Sequence, residues 1–104
     1  MNKEQALKAN TAAAELLGLI SPSYGIWITP DGFEDEAWEF DIFTNPADCL
    51  DVVKKLGEEH GIAITFYNGH EQWIAEAVSV VSNFSSLHDT YEQAVGSAVL
   101  EVTK

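Results

Sequence analysis

Arginine is absent from this chain of 104 residues, and its 5 lysines stand against 17 aspartates and glutamates, a formal charge of −12 at pH 7. Without clustered cations, the counterion release that drives ordinary nucleic-acid binding is missing, and an anionic membrane surface repels the chain. Direct nucleic-acid binding and membrane binding are therefore excluded as expectations. A single cysteine rules out an intrachain disulfide. The start, Met1-Asn2-Lys3-Glu4-Gln5, lacks an apolar signal region, so a cytoplasmic location is expected. Apolar runs fall far short of the roughly 18 residues of a membrane span. The three prolines sit at turns or caps, and no Pro/Gly/Ser-rich linker or internal repeat divides the chain, so one domain over residues 1–104 is expected. What is present is a core's worth of apolar surface: 46% hydrophobic residues with three Trp, three Tyr and five Phe, enough to make the acidity a property of a folded protein.

Residues 3–19 are strong helix formers, with Ala6, Ala9, Ala13, Leu16, Leu17 and Ile20 at spacings of three and four. Gly18 and Ser21-Pro22 stop this helix. A strand is expected over 24–29, followed by Pro30-Asp31-Gly32 turn chemistry. Trp38, Phe40 and Ile42 alternate with Glu39, Asp41 and Phe43, which predicts a second, half-exposed strand. In Asn45-Pro46-Ala47-Asp48, Asn45 caps, Pro46 suits the first helical position and Asp48 meets the positive helix end; Cys49, Val52, Val53 and Leu56 form the inner stripe, and His60-Gly61 terminates it. Ile62, Ile64 and Phe66 alternate ahead of Asn68-Gly69, a two-residue hairpin signal, so the next strand, 72–81, returns antiparallel. Its apolar residues fall on both parities, which implies partial cover on both sheet faces, and Trp73 is expected to be buried. After a loop over 83–86, Asp89-Thr90-Tyr91-Glu92 opens a last helix with Tyr91, Ala94, Val95, Ala98 and Val102 inward. The order is α-β-β-α-β-β-α: an α+β fold with a mainly antiparallel sheet.

Asn45-Pro46-Ala47-Asp48-Cys49-Leu50 opening a helix, Gln72-Trp73-Ile74-Ala75 in a strand, and a last helix with Ala94 and Ala98 resemble small phage and prophage proteins of the ABA-sandwich and NinX-like type. The resemblance spans about 41–103 and leaves out the acidic stretch and most of the first helix. It implies a phage or prophage origin and helices on both sheet faces, with no catalytic site attached.

Charge placement is the strongest non-random feature. No basic residue occurs from Ala9 to Val53, while Asp31, Glu34, Asp35, Glu36, Glu39 and Asp41 crowd eleven positions. One reading is a solvated acidic hairpin. The other is an electronegative face for a basic protein partner, in its sharpest form a nucleic-acid mimic that inhibits a basic host or defence protein. Asp31-Gly32-Phe33-Glu34-Asp35-Glu36 lacks the ligand spacing of a calcium loop. His60, His70 and His88 have no metal-pair spacing. His70-Glu71 starts like a zinc-protease motif but continues with Ile74 in a strand. Cys49 sits in a helix's first turn, where the dipole favours a thiolate, but Asp48 and Asp51 oppose it and a buried structural thiol is expected. There is no Gly-x-Ser-x-Gly elbow and no phosphate-cradling glycine loop. The three tryptophans, each expected in a strand, read as core. No cofactor and no enzymatic activity are expected; the sequence points to a small accessory or interaction protein.

Overall fold

The computed structural model describes residues 1–32, 36–69 and 72–104. It is an α+β arrangement of three helices and two antiparallel sheets: α1 (Lys3–Leu16), β1 (Ile20–Ser23), β2 (Ile26–Ile28), α2 (Pro46–His60), β3 (Ile62–Gly69), β4 (Gln72–Ser79), β5 (Ser85–His88) and α3 (Tyr91–Val102). β1 and β2 form a small hairpin; β3, β4 and β5 form a three-stranded sheet in that order. No helix among the described residues is long and apolar enough to cross a membrane.

Capping explains the helix bounds. Asn2 accepts from the Gln5 N–H while the Gln5 side chain accepts from the Asn2 N–H, closing a capping box on α1. Asn45 accepts from the Ala47 and Asp48 N–H groups and Pro46 is the first helical residue of α2. That helix ends on Gly61, whose φ of 64° is a left-handed conformation costly for any residue with a Cβ. Thr90 caps α3 by accepting from the Gln93 N–H, a single cap bond in place of the expected capping box.

α1, α2 and α3 share one core with the sheet. Ala9, Ala13 and Ala14 of α1 are fully buried, as are Ala94, Val95, Ala98 and Val99 of α3. The two helices approach through small residues: a Cβ on Gly96 would stand 3.2 Å from Phe43 Cζ and 3.5 Å from Ala9 Cβ. Val52 and Leu56 of α2 complete the layer against Ile62, Ala75 and Ala77.

Several expectations need correction. The helix expected to residue 19 ends at Leu16, and the chain uses Ile20–Ser23 as β1, paired with β2. The strand expected around Trp38, Phe40 and Ile42 does not form. Only Trp38 makes a bridge, exchanging backbone bonds of 2.9 and 3.0 Å with Trp27, and only Trp27 and Trp73 of the three tryptophans lie in strands. Its alternation nonetheless survives, with Phe40 and Ile42 buried and Glu39 exposed. β5 occupies much of the expected loop: Ser85–His88 has weak strand propensity and is held by its ladder to β4. β4 itself ends at Ser79.

The register pairs Asn68 with Trp73 and Gly69 with Gln72, so Asn68-Gly69 belongs to the strand and is not the expected two-residue turn; residues 70–71 lie outside the described residues. Among the described residues the helices cover one face of the sheet, and on the other face Ile74 and Val78 are half-buried. Ile62, Ala75, Ala77 and Ser79 are buried beneath α2 and α3, whereas the opposite parity leaves Thr65, Tyr67 and Leu87 exposed, with no helix over them among the described residues. Trp73 belongs to the covered parity, yet it is 58% exposed. It lies at the hairpin end, where Phe66, 5.1 Å away between ring centroids, is its aromatic neighbour and Tyr91 reaches only Phe66. The long axis of 46 Å against 27 and 22 Å reflects an elongated shape.

Candidate partner-binding face

The described parts of the acidic segment between β2 and α2, residues 29–32 and 36–45, are each held in place by hydrogen bonds. Thr29, Pro30, Asp31 and Gly32 make a β-turn closed by the Gly32 N–H to the Thr29 carbonyl at 3.0 Å. Farther on, side chains supply what a neighbouring strand would have supplied. Asn10 of α1 donates to the Phe40 carbonyl at 2.8 Å and accepts from the Ile42 N–H at 2.9 Å. Asp48 accepts from the Asp41 N–H at 2.9 Å and from the Trp38 indole N–H at 3.2 Å. Backbone polar groups need a partner, and here two side chains remote in sequence satisfy them without a ladder.

This scaffold sorts the six candidate carboxylates. Asp31, Glu36 and Glu39 are exposed. Asp41 is half-buried and accepts from the Phe43 N–H at 2.8 Å, so folding uses it. Glu34 and Asp35 lie outside the described residues. The ion pairs among the described residues, Lys55–Glu59 and Lys104–Glu101, lie on α2 and at the C-terminus, so no described cation neutralises Asp31, Glu36 or Glu39. Asp48 is an acidic residue outside the candidate set, and its helix-start position signalled only a dipole role; at 6% exposure it anchors the segment.

Other candidates are placed as follows. No group of three or more potential metal ligands occurs among the described residues. His60 ends α2, and His70 lies outside the described residues. Cys49 is buried; burial, and after it the Glu92 carboxylate, push its thiol up to about 11. The sequence neighbours Asp48 and Asp51 are not the cause. A thiol held protonated is a poor nucleophile. A thiol-specific disulfide reagent at about pH 8 should leave folded Cys49 unmodified and label it rapidly once denaturant unfolds the chain; fast labelling of the native protein would contradict the buried placement.

The fold also assembles a cluster that no spacing rule suggested. His88 Nε2 stands 3.0 Å from Ser86 Oγ, which stands 3.3 Å from Ser97 Oγ of α3. Burial lowers the His88 pKa, the terminal amine adds to this, and Asp89 opposes it. An open groove of about 370 Å³ borders His88, Ser97, Leu100 and Glu101, but Ser86, the hydroxyl next to the imidazole, does not line it. The cluster therefore ties β5 to α3, and of its two serines only Ser97, the one farther from the imidazole, borders the groove. Its only sequence signal is the parity shared by Ser86 and His88, legible once β5 is known. Comparison with family models, with curated proteins and with solved structures finds no match to this chain.

Proposed function

We propose that the protein is a small, non-enzymatic interaction protein, of the phage and prophage accessory type its resemblance implies, that docks a basic protein on the acidic segment between β2 and α2. The observation that carries this reading is the pairing of a braced backbone with unspent charge: Asp31, Glu36 and Glu39 are exposed and unpaired by described cations, while Asn10, Asp48 and the Trp27–Trp38 bridge hold the segment around them. Carboxylates positioned this way steer a cationic partner through the association rate and lose that influence as salt screens them.

The test compares the parent with a variant carrying Asp31→Lys, Glu36→Lys and Glu39→Lys, each as bait in host lysate at low and high salt. The expected result is a basic protein retained by the parent at low salt, released at high salt and lost by the variant, whose far-UV spectrum is unchanged. Competition by duplex DNA would narrow the reading to nucleic-acid mimicry. Equal capture by parent and folded variant would remove the acidic face from the proposal.

A further inference from the structure

β3 is an edge strand with an unused side. Val80 N–H donates to the Gly61 carbonyl at 2.8 Å, so alternation along the antiparallel ladder turns the odd-numbered residues of β3 toward β4. The N–H and C=O groups of Ile62, Ile64, Phe66 and Asn68 then point away from it. Among the described residues, β4 is the only strand beside β3 and no side chain bonds those outward groups.

Edge strands are ordinarily blunted by short length, proline, a bulge or a charge. β3 has none of these: it is eight residues long, its register with β4 is unbroken, and Ile62-Ala63-Ile64-Thr65-Phe66-Tyr67-Asn68-Gly69 carries no charged side chain. The opposite edge is blunted by length, since β5 has four residues and Asp89 follows it. Nor is the β3 edge screened at Gly57 of α2: Gly57 is exposed, and a Cβ there would find only the Ile62 carbonyl within 4 Å, at 3.8 Å.

From this edge we infer that two copies of the chain associate by antiparallel pairing of β3 with β3, making one six-stranded sheet. Two observations select a second copy as the occupant. In a chain of charge −12 this is an uncharged strand, so the copies can meet along it while their carboxylates stay outside the contact. The strand is also self-complementary about Thr65. With the two-fold axis there, Thr65 faces Thr65, Phe66 faces Ile64, and bulky Tyr67 lies over the small Ala63. Thr–Thr and aromatic–β-branched pairs are favourable cross-strand neighbours. Phe66 and Tyr67, both exposed in the single chain, gain cover. This contact does not involve the acidic segment and stands or falls independently of the partner proposed for it.

Sedimentation equilibrium of the full chain, from micromolar to millimolar concentration, tests the inference. The parent is expected to approach twice its 11.4 kDa mass, and to do so more readily as salt screens the repulsion between acidic copies. Thr65 is exposed, so Thr65→Lys and Thr65→Glu should fold, and each places like charges opposite one another, weakening association by about fivefold. An equimolar mixture of the two variants should restore it, because position 65 then pairs opposite charges. A parent that stays monomeric throughout, a dimer that salt dissociates, a Thr65→Lys protein associating like the parent, or a mixture no stronger than its components would each overturn the inference.

Discussion

Replacing Asp48 by Ala should destabilise the protein by about 2–4 kcal/mol, measured by urea denaturation followed through tryptophan fluorescence. Asp48 is a buried carboxylate with two donors aimed at it, the Asp41 N–H and the Trp38 indole N–H. Alanine removes both acceptors and replaces neither, and a donor left unsatisfied costs roughly 1–3 kcal/mol. Asp48→Asn retains a single acceptor oxygen and should fall between parent and Asp48→Ala. The emission of Trp38 should move to longer wavelength in either variant as its indole turns to water. A change below about 1 kcal/mol in Asp48→Ala would show that solvent satisfies these donors as well as the carboxylate does. The same pair of variants bears on the proposed docking face, because Glu39 lies between Trp38 and Asp41, the two residues that Asp48 holds.

Leu56→Ala should cost about 2–5 kcal/mol, the range for emptying a leucine site in a closed core. Leu56 is fully buried in the cluster formed by α1, α2, α3 and the sheet. Trp73→Ala provides the contrast. Composition alone ranks this tryptophan as the larger loss, but its ring is more than half exposed, and its truncation should cost less than about 1 kcal/mol. Chemical denaturation of the two variants under one set of conditions gives the order directly. A Trp73→Ala protein less stable than Leu56→Ala would mean that the hairpin end is covered in solution.

How much was legible beforehand follows from the range of the interactions. α2 was readable nearly residue by residue, because Asn45, Pro46 and Gly61 act on backbone groups within a turn of themselves. Ala9 and Ala13 of α1 and Ala94, Val95 and Ala98 of α3 were readable for the same reason, a helix presenting every third or fourth residue to one side. The equally buried Ala14 and Val99 fell outside the predicted stripes, and Ile20 left the helix for β1. The acidity of 31–41 and the solvent position of Asp31, Glu36 and Glu39 also follow locally, since like charges with no nearby cation stay in water.

The segment over Trp38, Phe40 and Ile42 marks the limit. Its alternation decided which side chains go inward, but whether it became a strand depended on what lay beside its backbone. There the tertiary structure put Asn10, 30 residues before Phe40, and Asp48 from the start of α2. The same limit hid β5, a strand only because β4 lies beside it, and misplaced Trp73, whose parity was right but whose position lies near the hairpin end. Periodicity assigns a side chain to a face. How far the neighbouring helix extends over that face, and which distant group completes its hydrogen bonds, are set by contacts between residues tens of positions apart, and no local pattern encodes them.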